Sequence, residues 1–538
     1  MTSDHRATFA LDLGAATTSA AVIAAVDGRR RLLASTSMPA GIDLDDLLGH
    51  LLARLGTADP DLAASLGIAP AGGPMALAGA VATWPRLVAR SSPPPELVVL
   101  ATTAREQHAV ARLAGLAGWR TVGGSLEVDG AIELTRLGLT RTCGTIAVAA
   151  REPGSRQEAA RLTELGALAR GVVERTPGVP LVLVGGAARV LGALPVGETG
   201  EGPLLAPGPD AGDPPGEPLR RLLLRLDPAS GGGRRAMLAS AIDLATAFDR
   251  RIELVEIGFD GGLRAVVGPG GVEGLPAFLP AAALVPTDLD DIVIDEVLAW
   301  STLALDRHRI GDRLRELRLW PWVEAHGEGA LLRLAAARAA LERLVRATPE
   351  MSALPAPDLI VVAGGAWSAA PGPAIALALA DLVRRPGASQ LAFDHARLLG
   401  PLGTIEDADA RLALVGELAD DLLTPLGTVI MPQGMRPGRS AGRLVVSGSA
   451  GETELELAAG GLRLVDLPPG QVAMADLHFR DPVQLGSRVR QVRIEVAGGL
   501  GGLLIDTRDI PLRLPERAER RRALLHSWQA AFWAGLDE

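Results

Sequence analysis

Thr8-Phe9-Ala10-Leu11-Asp12-Leu13-Gly14-Ala15-Ala16-Thr17-Thr18 is the stretch on which the reading of the chain turns, an apolar run closed by a carboxylate and a glycine. Such a run predicts a buried strand, with Gly14 allowing a tight exit. Residues 19–26 predict a second strand, Asp27-Gly28 a turn, residues 31–36 a third strand, and a helix follows from about Asp43. A carboxylate at a strand end suits a hydrated Mg²⁺, which keeps most of its waters and needs few protein ligands. That makes Asp12 the metal candidate. Gly14 would let backbone approach a phosphate, and Thr17 and Thr18 offer hydroxyl donors. The same residues read equally as plain turn chemistry.

Two later stretches repeat the theme. Leu254-Val255-Glu256-Ile257-Gly258-Phe259-Asp260-Gly261-Gly262 has the strand, the acidic residue Glu256 and the glycine Gly258, but no hydroxyls, and bulky Phe259 stands where phosphate approach favours a small residue. Asp358-Leu359-Ile360-Val361-Val362-Ala363-Gly364-Gly365 ends a third apolar run in two glycines, which allow flat contact with a purine or ribose, or simply a tight strand-to-helix turn. Similar runs at 96–102, 144–149 and 180–185, separated by helical patterns, predict α/β layers with strands covered on both faces.

Residues 192–218, rich in Gly and Pro, predict an exposed loop or a linker. Beyond about residue 430 the pattern becomes strand-like at 442–446, 452–458, 462–467 and 489–496, before a final helix over about 516–536 carrying Trp528 and Trp533. The expected division is a first lobe over 1–235, a second over 236–430, and a β-rich module with a closing helix over 431–538. That module is expected to be removable without unfolding the rest.

Composition excludes several chemistries. All 53 basic residues other than histidine are Arg, so no P-loop lysine and no lysine Schiff base is available. A net charge of −10 with scattered Arg argues against a nucleic-acid footprint. The single Cys143 excludes an internal disulfide framework and reads as a buried thiol. No signal-peptide pattern opens the chain and no apolar stretch reaches membrane-spanning length, so a cytoplasmic protein without a membrane association is expected. The acidic residues from Asp288 to Glu296 read as a helix start rather than a metal site. Asp394 with His395 is the one pair suggesting a catalytic base, and it reads equally as a helix cap.

Together these segments resemble the glutamate mutase L proteins, which accompany adenosylcobalamin-dependent glutamate mutase and belong to the actin-like ATPase superfamily. Residues 12–19, D-L-G-A-A-T-T-S, match a family pattern like D-I-G-S-T-T-T-K, and 256–263, E-I-G-F-D-G-G-L, stand against D-V-G-G-A-T-T-D. Residues 358–405 look like the family's adenosine loop and the segment after it, and G-G-L-G-G-L-L-I-D-T-R-D-I-P-L-R-L-P, 498–515, like its closing signature. The resemblance implies a two-lobed actin-like (ribonuclease H-like) α/β fold. It also implies a nucleotide site at Asp12, Gly14, Thr17, Thr18, Glu256, Gly258, Gly364 and Gly365. The implied ligands are ATP and Mg²⁺, with no cobalamin on this chain, and the implied partner is a cobalamin-dependent mutase subunit. The departures point the other way. Ala15, Gly261 and Gly262 replace hydroxyl residues and Glu256 replaces Asp. Each lost charge-assisted contact costs about 1.5–3 kcal/mol, so weak or absent nucleotide binding is expected. A nucleotide-free interaction scaffold and, less favoured, a small-molecule kinase are the alternatives.

Overall fold

The computed structural model describes the chain apart from residues 1–6, 41, 59–65, 67–72, 91–95, 118, 140–144, 176–178, 194–202, 227–231, 324, 437–439, 450 and 533–538. Cys143 and Trp533 lie outside the described residues. Two compact units are present: residues 1–91, 233–276 and 281–538 form one, and residues 92–232 with 277–280 the other.

The first unit opens with β1 (Ala7–Leu13), β2 (Thr17–Val26), β3 (Arg29–Pro39) and β4 (Arg86–Arg90). Their sheet order is β3-β2-β1-β4, with β1 antiparallel to β2 and parallel to β4. Phe9, Ala20 and Val22 pack under Leu47, Leu48 and Leu51 of the helix Leu44–Ala58. That shared core holds the β1–β2 hairpin against the helix.

The second unit holds β5 (Glu96–Ala101), β6 (Arg120–Ser125), β7 (Thr145–Ala150), β8 (Leu181–Gly185) and β9 (Leu204–Ala206). They form a wholly parallel sheet in the order β6-β5-β7-β8-β9. Alternate residues of β5 face opposite cores: Leu97 and Val99 meet Val110 and Leu113, whereas Val98 and Leu100 meet Leu162 and Leu165. Strands covered on both faces need continuous apolar runs, which is what the sequence supplies. Residues 203–218 are not a linker. They contain β9, and the turn after it packs against the parallel sheet's strand ends.

The first unit resumes with β10 (Ile252–Ile257), β11 (Gly262–Gly268), β12 (Gly271–Leu279), β13 (Leu359–Ala363), β14 (Gly387–Phe393) and β15 (Thr424–Met431). After these come β16 (Ser440–Gly448), β17 (Gly451–Ala458), β18 (Leu462–Val465), β19 (Val472–Leu485), β20 (Ser487–Ala497) and β21 (Leu503–Asp506). The larger sheet runs β12-β11-β10-β13-β14-β15-β21-β18, with β10 antiparallel to β11 and parallel to β13. Its first four strands repeat the order of β3-β2-β1-β4, so β1 and β10 are equivalent positions. The remaining strands make an antiparallel sheet, β17-β16-β19-β20.

The C-terminal segment is therefore not set apart from the sheet before it. Thr428, Val429 and Ile430 of β15 pair with Leu503, Leu504 and Ile505 of β21. Ile430, Leu503 and Ile505 share one core with Leu444, Leu477 and Val496 of the antiparallel sheet. No helix among the described residues is long and apolar enough to cross a membrane.

Candidate functional site

The duplicated strands leave two alike turns. Gly14 N–H donates to the Thr17 carbonyl at 2.8 Å, and Gly258 N–H donates to the Gly261 carbonyl at 2.8 Å. Asp12 and Glu256 thus occupy equivalent places two residues before each turn glycine. The third loop follows β13, whose exit passes the end of β10. Gly364 has φ +100°, and a Cβ there would stand 2.2 Å from the Ile257 carbonyl oxygen, so only glycine fits.

The three loops meet. Asp12, Gly14, Thr17, Glu256, Gly258, Gly364 and Gly365 all line one pocket in the first unit. Thr18 is not among its lining residues. It lies across from Leu13 and Met38 in the sheet, pointing opposite to its neighbour Thr17. Seven of the eight expected residues converge.

What the sequence did not disclose is that the pocket is already filled. Its volume is about 40 Å³, close to the roughly 30 Å³ that one liquid water occupies. Two arginines take up the space. Arg234 Nε donates to Glu256 Oε2 at 2.8 Å, and its Nη2 donates to Asp260 Oδ1 at 2.7 Å and to the Gly261 carbonyl at 3.1 Å. Arg397 Nη1 donates to the Thr17 hydroxyl, the group expected to face a phosphate. Phe259 lines the pocket under the Arg333 guanidinium at 5.5 Å, and Trp322 Nε1 holds the lining residue Ala16 by donating to its carbonyl at 3.1 Å.

The charges suit this closed arrangement. Burial pushes the Asp12 carboxyl up to about 6, against the pull of Arg397. Burial likewise pushes Asp394 up to about 7, although its oxygens accept Leu398 N–H at 2.9 Å and Leu399 N–H at 3.3 Å. Burial raises Glu256 too, opposed by Arg234. Four carboxyls (Asp12, Glu256, Asp260 and Asp394) therefore face two guanidiniums, leaving no positive excess for a triphosphate. Asp394 is occupied as the cap of the turn that follows it, and His395 stacks edge-on against Phe393, so the pair is not arranged as a catalytic base. Among the described residues no group of three or more His, Cys, Asp or Glu is placed to hold a metal ion. Asp260 Oδ2 has no hydrogen-bond partner, the one feature inviting a cation. The acidic residues near 290 behave as expected, with Asp290 accepting Val293 N–H at 2.9 Å to cap the helix Asp291–Trp300.

With Arg234 and Arg397 in these positions the pocket has room for about one water and no surplus of cations, so MgATP would enter only if the two side chains moved aside. Arg234 and Arg397 were the residues missed. No local feature of the sequence signals them, because their partners lie far away along the chain.

The buried Asp394 makes a testable pH signature. A native carboxyl that keeps its proton up to about 7, when its ordinary value is 3.8, gives the folded state more bound protons than the unfolded chain in that window. Its contribution to stability is thus lost as pH rises from about 4 to about 7. Asp394→Asn should gain on the parent chain by up to about 1.4 kcal/mol per pH unit across that range. Urea melts of both proteins at pH 5 and pH 7 check this, and equal shifts would contradict it.

No family model matches the chain, and no curated protein matches its sequence. Among solved structures, nucleotide-free acetone carboxylase is 11% identical with a TM-score of 0.28, covering 74% of this chain and 69% of that one. The ethanolamine utilization protein EutJ from Carboxydothermus hydrogenoformans is 12% identical with a TM-score of 0.25, covering 76% and 89%. The PilM–PilN type IV pilus biogenesis complex is 12% identical with a TM-score of 0.23, covering 76% and 98%. What identifies the fold is the repeated strand order and the meeting of its three loops, rather than these distant likenesses. The first unit is a duplicated α/β fold whose loop junction is filled by its own arginines.

Proposed function

We propose that this chain is a non-hydrolysing accessory factor of the actin-like fold that acts by binding a protein partner, an adenosylcobalamin-dependent mutase subunit. The observation that carries the first half is the pair of internal cations, Arg234 on Glu256 and Asp260, and Arg397 on Thr17, standing where a metal and phosphates would have to enter. The partner rests on the resemblance of residues 358–405 and 498–515 to the glutamate mutase L proteins. A closed cleft leaves partner binding, not nucleotide turnover, as the means of action, since a fold transmits a signal only through states of differing affinity for a ligand.

Calorimetry with MgATP and a phosphate-release assay on the full chain should give no saturable heat at micromolar nucleotide and no turnover above background. Micromolar affinity with turnover abolished by Asp12→Ala would overturn the non-hydrolysing reading. A pull-down with a purified adenosylcobalamin-dependent mutase subunit should retain that subunit equally with and without MgATP. Failure to retain it would leave the nucleotide-free scaffold as the reading of this fold.

A further inference from the structure

The second unit contains a cavity that the filled pocket does not explain. A wholly parallel sheet in the order β6-β5-β7-β8-β9 reverses its winding at β5, because the chain goes to β6 on one side and then to β7 on the other. In open parallel sheets ligands bind beyond the carboxyl ends of the strands at such a reversal. At the exits of β5 and β7 the structure has a cavity of about 250 Å³, and beside it, sharing Arg105, Glu106, Arg151 and Glu152, a larger one of about 530 Å³ formed by the ends of β7 and β8, the first turns of the helix Ala104–Leu116 and the turn after β9. The larger lies within the usual range for small-molecule sites, about 300–1,000 Å³.

The floor is built for close approach. Glu106 Oε2 accepts the Thr102 hydroxyl at 2.5 Å and Thr103 N–H at 3.0 Å, while its Oε1 accepts Arg151 N–H at 3.0 Å. One buried carboxylate thus ties the exits of β5 and β7 together. Gly185 has φ +63°, and at Gly186 a Cβ would stand 2.1 Å from the Arg151 carbonyl oxygen, so the exit of β8 lies directly on that of β7. Ala149, Val184 and Ala206 give the chamber an apolar wall.

Its charges select the ligand. Glu106 is committed to the loops, and Glu152 pairs with Arg189 at 2.5 Å. Arg105 is exposed and Arg151 is 58% exposed, with Arg151 only loosely placed, 3.9 Å from Glu106. Asp210 is the remaining acid on the lining. Arg105, Glu106, Arg151 and Glu152 also border the smaller cavity of about 250 Å³, so these four residues lie between the two chambers.

We propose that the larger cavity binds a nucleoside monophosphate or a phosphate monoester of the same size. Its flat body rests on the wall of Ala149, Val184 and Ala206, and its phosphate lies between Arg105 and Arg151, which suit it by charge-assisted hydrogen bonds. Asp210 supplies an acceptor for a ribose hydroxyl or an exocyclic amine. The site is independent of the Asp12 pocket, and its occupation does not depend on the reading given to that pocket.

Calorimetry on the full chain with AMP as probe, and inorganic phosphate as its control, tests this. AMP should bind saturably and phosphate at least tenfold more weakly. The double substitution R105A/R151A, at two exposed side chains that leave the core untouched, should weaken AMP at least tenfold. Gly208→Phe, at a lining glycine where a Cβ meets nothing within 4 Å, should weaken AMP binding by narrowing the chamber. Absence of AMP binding at millimolar concentration would overturn the assignment. So would phosphate binding as tight as AMP, or AMP binding unchanged in R105A/R151A.

Discussion

Removing residues 432–538 is expected to unfold what remains, seen as loss of a cooperative thermal transition and elution as aggregate in size-exclusion chromatography. Two effects add. Strand β15 would lose its parallel partner β21, exposing Val429 and Ile430, both now buried. The second effect is electrostatic. Asp381 contacts Arg338 at 2.9 Å and Arg508 at 2.9 Å, Arg508 pairs with Asp506 at 2.7 Å, and Arg384 pairs with Asp506 at 2.5 Å. All five side chains are buried, and the Arg508 guanidinium lies 4.2 Å over the Trp528 ring. The cut deletes Asp506 and Arg508 and leaves Arg384 without a counter-charge in the interior. Breaking a buried pair from one side costs about 3–5 kcal/mol, against a total stability of about 5–15 kcal/mol for a domain. A soluble, cooperatively melting 1–431 fragment would show that the C-terminal strands are dispensable after all.

That result would reverse what the sequence suggests, and the reason is instructive. Periodicity identifies a strand but not its neighbour. Residues 462–467 and 452–458 read alike, yet β18 closes the larger sheet through β21 while β17 pairs with β16. The same limit hid the separate parallel sheet. Its apolar runs at β5, β7 and β8 were legible as strands covered on both faces, but nothing local says that they leave the β1 sheet. The meeting of Asp12, Gly258 and Gly364 was legible because a carboxylate or glycine closing a buried strand is a local feature, and repeated strand order brings like ends together. The filling of the pocket was not legible. Arg234 follows Gly231-Gly232-Gly233 and Arg397 follows His395-Ala396, and neither neighbourhood announces a side-chain contact with a residue 22 or 380 positions away.

Arg234→Ala should therefore have the largest effect of any single change in the pocket. Arg234, Glu256 and Asp260 have side chains only 12%, 7% and 17% exposed, so water does little to screen them. Burial works against the arginine's charge, but Glu256 and Asp260 outweigh it and hold its pKa above the usual value. Removing the guanidinium strands two buried carboxylates beside Asp12, a loss of about 3–5 kcal/mol in metal-free buffer. Arg234→Lys should recover only part of this, because an ammonium is a point charge and cannot span both carboxylates as the planar fork does. The vacated space would be bordered by Asp12, Glu256 and Asp260, including the unpartnered Asp260 Oδ2, oxygens of the kind a hard divalent cation draws around itself although they are not preset to hold one. Millimolar Mg²⁺ should accordingly raise the melting temperature of Arg234→Ala while leaving that of the parent chain unchanged, since only an emptied pocket offers those oxygens. Thermal melts of both proteins in EDTA and in Mg²⁺ decide the matter. A loss below about 1 kcal/mol in EDTA would show that the arginine does not neutralise these carboxylates, because a buried pair broken from one side costs several times that. Equal Mg²⁺ shifts in the two proteins would show that the parent pocket is already open to the ion.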